Sequence, residues 1–292
     1  MEQQFDEVKE HEFPRSHTYA ARAVAAERQE LSSDSLKMIQ QMILEDCCYA
    51  EEARGKHIVP VIGNTGVGKS TSVNYWLGYQ MHKVQDKHGA SVIVADAKAP
   101  ASIGHEATAH TLYARTYSSA HNDLAFVDCP GFLDNRGPEA RIVTSMSIEL
   151  ALKGAASIKA IIVAIDFMDI IATRLLALNQ LTKTLMALCK DPLEMLSHTV
   201  FVITKKSHHI PLEEARGEAL AGLRRIVSSY EEKAARGSGF TEDGLTFIDF
   251  TLMSAYYAQV IERFSEVIFV DPLDKGESAR QLKDRIEGHR AR

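Results

Sequence analysis

The 292-residue sequence lacks several features that would place it in other classes of protein. No apolar run approaches the roughly 20 residues that a membrane-spanning helix needs. The N-terminal stretch MEQQFDEVKEHEFPRSH is acidic and polar, without the apolar core of a secretory signal. Cysteine is scarce, and four thiols in a chain of this length do not form a disulfide framework. Together these absences favour a cytoplasmic protein with reduced thiols.

A basic excess is absent as well, because 33 Lys and Arg side chains stand against 39 Asp and Glu. Proteins that bind nucleic acid carry a clustered positive surface, so we expect no nucleic-acid partner. The acidic excess lies entirely in residues 1–55, which hold 12 acidic and 6 basic side chains. The tail from residue 275 onward is basic instead; it could make a peripheral contact with an acidic membrane surface, or be a solvated helix.

The sequence does contain a repeated alternation of apolar strands and amphipathic helices. The predicted strands cover residues 57–63, 112–117, 124–128, 159–166, 199–205 and 245–252. The predicted helices cover residues 33–54, 71–81, 139–154, 171–188, 212–235 and 255–268. Such alternation predicts an α/β fold with a mostly parallel sheet covered on both faces. Pro60 is unusual inside a strand because it removes a backbone donor, and the connection 79–106 is unusually long.

The stretch GNTGVGKS, residues 63–70, matches the pattern G-x-x-x-x-G-K-[ST] between a predicted strand and a predicted helix. Glycines let the backbone N–H groups of such a loop turn toward a phosphate, and the start of the helix adds partial positive charge. Lys69 is expected to reach the β- and γ-phosphates, and the Ser70 hydroxyl to bind Mg²⁺. The alternative is a glycine turn without a ligand. The predicted phosphate-binding residues are Gly63, Asn64, Thr65, Gly66, Val67, Gly68, Lys69, Ser70 and Thr71.

A second motif, LAFVDCPGF, lies at residues 124–132. An apolar strand that ends in Asp128 places a carboxylate at the C-terminal edge of the sheet, where it can hold Mg²⁺ through water. Gly131, three residues later, can turn its N–H toward the γ-phosphate of a bound nucleotide. An aspartate at a strand end is common, but its position about sixty residues after the phosphate loop makes the motif more specific.

With these two motifs the sequence resembles the TRAFAC class of P-loop GTPases, and among them the septin, Toc and immune-associated nucleotide-binding (GIMAP) branch. The resemblance covers roughly residues 57–270. It implies a three-layer α/β sandwich with a mostly parallel six-stranded sheet, and GTP or GDP as ligand with Mg²⁺. We therefore expect an N-terminal helical extension in residues 1–55, a G domain in residues 56–270 and a helical tail in residues 271–292.

The resemblance also implies a switch threonine that binds Mg²⁺ and closes on the γ-phosphate. Thr108 and Thr111 are the candidates, and Thr111 is favoured because it stands directly before the second strand. The implied Mg²⁺ ligands are then Ser70, Thr111 and Asp128, and the implied catalytic groups are Lys69, Thr111 and Gly131. The threonine that is not the switch residue would be an ordinary turn residue.

For the base, the family motif [NT]-K-x-D is matched in part by Thr204-Lys205-Lys206-Ser207. Ser207 replaces the aspartate, so one neutral hydrogen bond stands where a carboxylate would accept two charge-assisted ones. This substitution leaves the choice between guanine and adenine open. The neighbouring His208 or His209 could stack on the base or simply face solvent. A further family motif, a Ser-Ala pair after the sixth strand, is matched by Ser254 and Ala255.

Phe132 follows Gly131 at the position where Ras-like members carry a water-orienting glutamine. The resemblance then implies slow hydrolysis of GTP that rises on dimerisation across the nucleotide or on binding a protein effector. Arg136 could act on a phosphate, or be a surface arginine. Two alternatives stay open: a nucleotide-binding scaffold without turnover, which fits Phe132 and Ser207, and an ATPase, which fits Ser207.

Overall fold

The computed structural model describes residues 32–89, 91–104, 111–118, 124–131, 138–172, 177–178, 181–182, 184–185, 191–236 and 247–290. Its helices are α1 Ser33–Ala50, α2 Lys69–Trp76, α3 Pro138–Gly154, α4 Phe167–Ile171, α5 Pro192–Leu196, α6 Leu212–Ala235, α7 Phe247–Glu262 and α8 Glu277–Arg290. Its strands are β1 His57–Ile62, β2 Met81–Gln85, β3 Ser91–Ala95, β4 Arg115–Ser118, β5 Leu124–Asp128, β6 Ser157–Ile158, β7 Ile161–Asp166, β8 Thr199–Thr204 and β9 Ile268–Phe269. The described residues between 177 and 185 are helical too.

Seven strands form one sheet in the order β4-β5-β1-β7-β8-β9, with the short β6 also beside β1. Only the edge pair β4–β5 is antiparallel among the described strands of this sheet. Alternate residues of β1 enter two separate cores, Ile58 and Ile62 on one face and Val59 and Val61 on the other. The predicted mostly parallel sandwich is confirmed, and β6 raises the strand count above the predicted six.

Pro60 is accommodated in the centre of the sheet by a break in the neighbouring strand. In β1, Ile58 points its carbonyl toward the β6–β7 side, where it accepts from Lys159 N at 2.9 Å. The backbone nitrogen of Pro60, two residues later, faces the same side, because the backbone groups of successive residues in a strand point alternately to the two neighbouring strands. At its level the neighbour has left β6 and not yet entered β7. The missing N–H of proline therefore falls where no ladder partner is needed.

The predicted strand 245–252 is wrong, because residues 247–262 form helix α7. Phe250, Met253, Tyr257 and Val260 are all buried, at the spacing of three and four that defines one helical face. A short apolar run such as FIDFTL fits a buried strand and a buried helix equally well, so periodicity alone did not decide. The last strand of the sheet is instead β9, Ile268–Phe269.

The first and the last helix of the described chain both pack against the rest of the fold. Helix α1 lies on α3, and the buried carboxylate of Asp46 accepts from the Ser147 hydroxyl at 2.7 Å. Helix α8 inserts Leu282 and Ile286 into the same core as Val59 and Val73. The long connection after α2 contains an antiparallel hairpin, β2–β3. None of the helices in the described part of the chain is long and apolar enough to cross a membrane.

Candidate nucleotide-binding site

The loop between β1 and α2 has the backbone shape that its glycines allow. Gly66 and Gly68 have φ angles of 83° and 89°, in the left-handed region that side chains disfavour. At Gly63 a Cβ atom would lie 2.5 Å from the carbonyl oxygen of Ala164, so a side chain would collide with β7. Helix α2 begins at Lys69, directly after this curl. The loop therefore presents backbone N–H groups and a helix N-terminus to the same point.

Lys69 is buried across the mouth of this loop. Its Nζ donates to the carbonyl oxygens of Gly63 at 3.1 Å and Asn64 at 2.9 Å. Burial lowers the pKa of Lys69 because a charged ammonium loses its hydration there. The two carbonyl acceptors of Lys69 are neutral, and a bound polyphosphate would place negative charge beside its ammonium group.

The three residues predicted to hold Mg²⁺ lie together at the N-terminus of α2. The Ser70 hydroxyl donates to Oδ2 of Asp128 at 2.6 Å and lies 3.5 Å from Oγ1 of Thr111. Burial raises the pKa of Asp128, and its Oδ1 has no hydrogen-bond partner in the part of the chain that the structure describes. One carboxylate and two hydroxyls are hard oxygen donors, and Mg²⁺ bound with substrate phosphates needs few protein ligands. These residues fit Mg²⁺.

Gly131 packs against the phosphate loop from the opposite side. A Cβ atom at this position would lie 2.5 Å from the backbone N of Thr65, so only glycine fits between the two segments. Gly131 is itself buried at the end of the motif that carries Asp128. The close approach places the backbone of residue 131 beside the loop, as its predicted contact with the γ-phosphate requires.

Thr204 and Lys205 mark the other end of the site. The buried Thr204 hydroxyl lies 2.7 Å from the carbonyl oxygen of Val67 and 3.2 Å from that of Ile165, which ties the phosphate loop to β7 and β8. Lys205 has a φ of 57°, and its Nζ forms an ion pair with Asp166 at 3.1 Å. This contact holds the aliphatic part of Lys205 beside the cleft, where it can pack on a base.

The site is a cleft of about 750 Å³. Residues 65–71 of the phosphate loop line one end of it, while Gly63 and Asn64 lie behind as acceptors for Lys69. Two walls have no counterpart in the sequence predictions. One is formed by residues 91–93 of the β2–β3 hairpin, and the other by residues 269–272 and Asp274 with the first turn of α8. These segments lie far from the motifs in sequence, and only their fold brings them to the cleft.

Comparison with known proteins adds a sequence family to this geometry. Residues 58–205, about half of the chain, match the sequence model of a family described as 50S ribosome-binding GTPase. The chain belongs to this P-loop GTPase family. No curated protein matches it significantly in sequence.

Two solved structures are similar to this chain at low identity. A tyrosine-to-alanine variant of Aquifex aeolicus Era bound to GDP and AlF₄⁻ is 15% identical, with a TM-score of 0.43, and the match covers 80% of this chain and 56% of that chain. The signal recognition particle receptor SRb-GTP/SRX complex from Chaetomium thermophilum is 13% identical, with a TM-score of 0.40, covering 80% and 98%. The match therefore spans little more than half of the Era chain.

The structure corrects the predicted position of two residues that were expected beside the base. Ser254 and Ala255 lie in the middle of α7 and not in a loop after the last strand, and neither lines the cleft. The cause is the misassigned strand 245–252, which moved the expected loop about fifteen residues upstream of its true place. The segment that does follow the last strand begins Val270-Asp271.

Ser207 does not line the cleft either. Its hydroxyl accepts from His209 N at 3.3 Å and its carbonyl accepts from Lys206 Nζ at 2.9 Å, so it stabilises a turn. Its neighbour His208 does line the cleft. Three further sequence candidates, Thr108, Phe132 and Arg136, lie outside the described residues.

Proposed function

We propose that this GTPase is a guanine-nucleotide switch that binds GTP and GDP with Mg²⁺ and hydrolyses GTP slowly. The observation that carries the proposal is the meeting of Ser70, Thr111 and Asp128. Ser70 and Asp128 are 58 residues apart in the sequence, yet their side chains are joined at 2.6 Å beside the phosphate loop. A loop without a ligand would not need a carboxylate, two hydroxyls and a buried lysine at one point.

Each residue has a separate role in this proposal. The N–H groups of residues 65–70 and the start of α2 bind the phosphates, and Lys69 exchanges its two carbonyl acceptors for phosphate oxygens. Ser70, Thr111 and Asp128 would hold Mg²⁺, which when bound supplies positive charge to neutralise the phosphates. Thr111 and Gly131 stand on the two segments that would close on a γ-phosphate and relax after hydrolysis.

Slow turnover and stimulation by a second molecule rest on the residue after Gly131. Phe132 has no polar atom with which to orient a water, so the isolated chain lacks the group that Ras-like enzymes use. We propose that pairing of two G domains, or an effector protein, supplies the missing group. The D-x-P-G-F segment supports a place in the septin, Toc and GIMAP branch, and the cytoplasmic location stays a prediction from the sequence.

Single-turnover phosphate release from GTP tests the proposal. With Mg²⁺ we expect slow release that accelerates as the protein concentration rises, and loss of release on chelation of the metal. Asp128→Asn should lower the rate by at least about tenfold, because one of the few charged metal ligands is lost. Asp34→Asn, which removes an exposed carboxylate on α1, is the matched control and should leave the rate unchanged.

Two outcomes favour other functions. Tight nucleotide binding without any phosphate release, alone or at high protein concentration, would identify a scaffold that holds nucleotide structurally, as Phe132 would allow. Equal competition by adenine and guanine nucleotides would identify an ATPase or a relaxed NTPase, as the absence of an aspartate at position 207 would allow.

A further inference from the structure

The loops after β8 and β9 face each other at the end of the cleft that Lys205 lines. The two strands are parallel, with Val202 opposite Ile268 and Ile203 opposite Phe269, and Val270 N donates to Ile203 O at 2.8 Å. Continuing this register by two residues brings Lys205 and Asp271 to the same level of the sheet edge. Both residues line the cleft.

Three acidic side chains line the cleft among the described residues: Asp271, Asp274 and Glu277. Asp274 is fully engaged, because its two oxygens accept from the Tyr75 hydroxyl and from the first backbone N–H groups of α8. Glu277 is exposed on the first turn of that helix. Of these three, Asp271 is the carboxylate nearest in sequence to the end of β9, opposite Lys205 in the register of the two strands.

The contacts of Asp271 hold its carboxylate without using all of its capacity. Oδ1 accepts from Leu273 N at 3.0 Å, and Oδ2 lies 3.4 Å from Nδ1 of His208. The side chain is 35% exposed. An ionised carboxylate has about four lone-pair sites, so both oxygens can accept further hydrogen bonds from a ligand.

Resting on the proposed nucleotide site, we propose that Asp271 reads the guanine base in place of the aspartate that is missing at position 207. Guanine presents its N1–H and N2–H donors side by side, and a carboxylate accepts both in two charge-assisted bonds. Adenine presents an acceptor at N1 and no amino group at C2, so the same carboxylate repels it. Lys205 packs along the base, and His208 holds Asp271 from the far side.

Competition against fluorescent GDP tests this role with the full chain. GDP, inosine diphosphate, xanthosine diphosphate and ADP serve as unlabelled competitors for the wild type, Asp271→Asn and Glu277→Gln. The amide oxygen of D271N can still accept from Leu273 N, so the turn is retained. Circular dichroism and thermal unfolding check that each variant is folded.

We expect the wild type to prefer GDP over inosine diphosphate and ADP by at least about tenfold, the effect of one charge-assisted hydrogen bond or more. D271N should bind GDP at least about tenfold more weakly and gain affinity for xanthosine diphosphate. Its amide can donate to the xanthine 2-carbonyl where the carboxylate could not. A merely structural role for Asp271 would not produce this exchange. E277Q should keep the wild-type order of competitors.

Several results would overturn the inference. A D271N variant with the wild-type preference for GDP would show that Asp271 does not contact the base, and the same exchange in E277Q would assign the role to Glu277. A wild type that binds ADP as well as GDP would overturn the base assignment while leaving the phosphate site intact. A folded wild type that binds none of the four would overturn the proposed function together with this inference.

Discussion

At the scale of single residues, the site combines two buried ionisable groups. The pKa of each is shifted in the direction that favours its uncharged form. Burial lowers the pKa of Lys69 and raises that of Asp128. Such groups cost folding free energy, and they cluster in clefts where ligands meet them. Both residues here lie beside a glycine-shaped loop that can receive an anion. Binding of a charged ligand with its metal would offset this cost in folding free energy.

Gly131→Ala tests the close contact between the two phosphate-side segments. The added Cβ would lie 2.5 Å from Thr65 N, so the loop or the segment of residue 131 must shift. We expect a cost of about 1–3 kcal/mol, which is roughly 5- to 150-fold in GTP affinity if it falls on the bound state. Calorimetric titration with a non-hydrolysable GTP analogue measures it.

Gly154→Ala is the control for this substitution. Its Cβ would meet Ala50 O at 3.6 Å, an ordinary contact at the end of α3. The account of the site predicts unchanged GTP affinity for this variant. Equal affinities for Gly131→Ala and the wild type would mean that the two segments are not held together as described.

At the scale of elements, helix α1 is bonded to the segment that follows Thr111. Asp46 of α1 accepts from the Ser147 hydroxyl, which in turn accepts from Ala114 N at 2.7 Å. Glu52, in the turn after α1, holds Arg115 through both carboxylate oxygens at 3.2 and 3.1 Å. These contacts tie the N-terminal extension to α3 and β4, so its packing contributes to the stability of the G domain.

Asp46→Asn should change how stability depends on pH. Burial raises the pKa of Asp46 above the ordinary value of about 3.9, although the Ser147 hydrogen bond opposes this. Between these two values the folded state holds a proton that the unfolded state has lost. The free energy of unfolding of the wild type therefore falls as pH rises through this window, and Asp46→Asn lacks this loss.

Urea unfolding of both proteins from pH 4 to pH 7 checks the prediction. The variant should gain stability relative to the wild type as pH rises, and Asp34→Asn, at an exposed position of α1, should show no such change. A difference in the free energy of unfolding between variant and wild type that stays constant with pH would contradict a raised pKa of the buried Asp46 carboxyl.

Two glycines of α6 should respond to alanine in opposite directions. At Gly222 a Cβ would overlap the carbonyl oxygen of Ile170 and lie 2.8 Å from its Cγ2, so α6 would be pushed away from α4. We expect Gly222→Ala to lower the free energy of unfolding by about 1–3 kcal/mol. At Gly217 the described part of the chain places no atom within 4 Å of the Cβ position apart from the adjacent backbone of α6, and Gly217→Ala should raise stability by about 0.5–1 kcal/mol.

Chemical denaturation of the two variants measures both effects in one helix. Because the substitutions are identical and five residues apart, differences in helix propensity cancel between them. Similar stability changes in the two variants would show that α6 does not pack on α4 as closely as the structure has it.

At the scale of the whole molecule, the shape of the glycine loop and of the helix after it was predictable from the sequence, and the segments at the other end of the cleft were not. The glycine pattern and the strand before it have few alternative structures, so Gly63 to Ser70 were assigned correctly as a loop entering a helix. The wall of the cleft formed by the segment after β9 and by the first turn of α8 depends on where the last strand lies. FIDFTL satisfies both a strand and a helix, and this ambiguity placed the loop after the last strand at Ser254 and Ala255, whereas it begins after Phe269.

The measurement that tests the central claim most directly is equilibrium binding of fluorescent GDP with Mg²⁺ to the wild type and to Lys69→Ala. Lys37→Ala, which removes an exposed lysine of α1, is the control. We predict saturable binding by the wild type and the control, competed by GTP, and at least about tenfold weaker binding by the folded Lys69→Ala, since a charge-assisted contact to phosphate is lost. Binding that is absent in the folded wild type, or unchanged in Lys69→Ala, would contradict the assignment of this loop as a nucleotide-phosphate site.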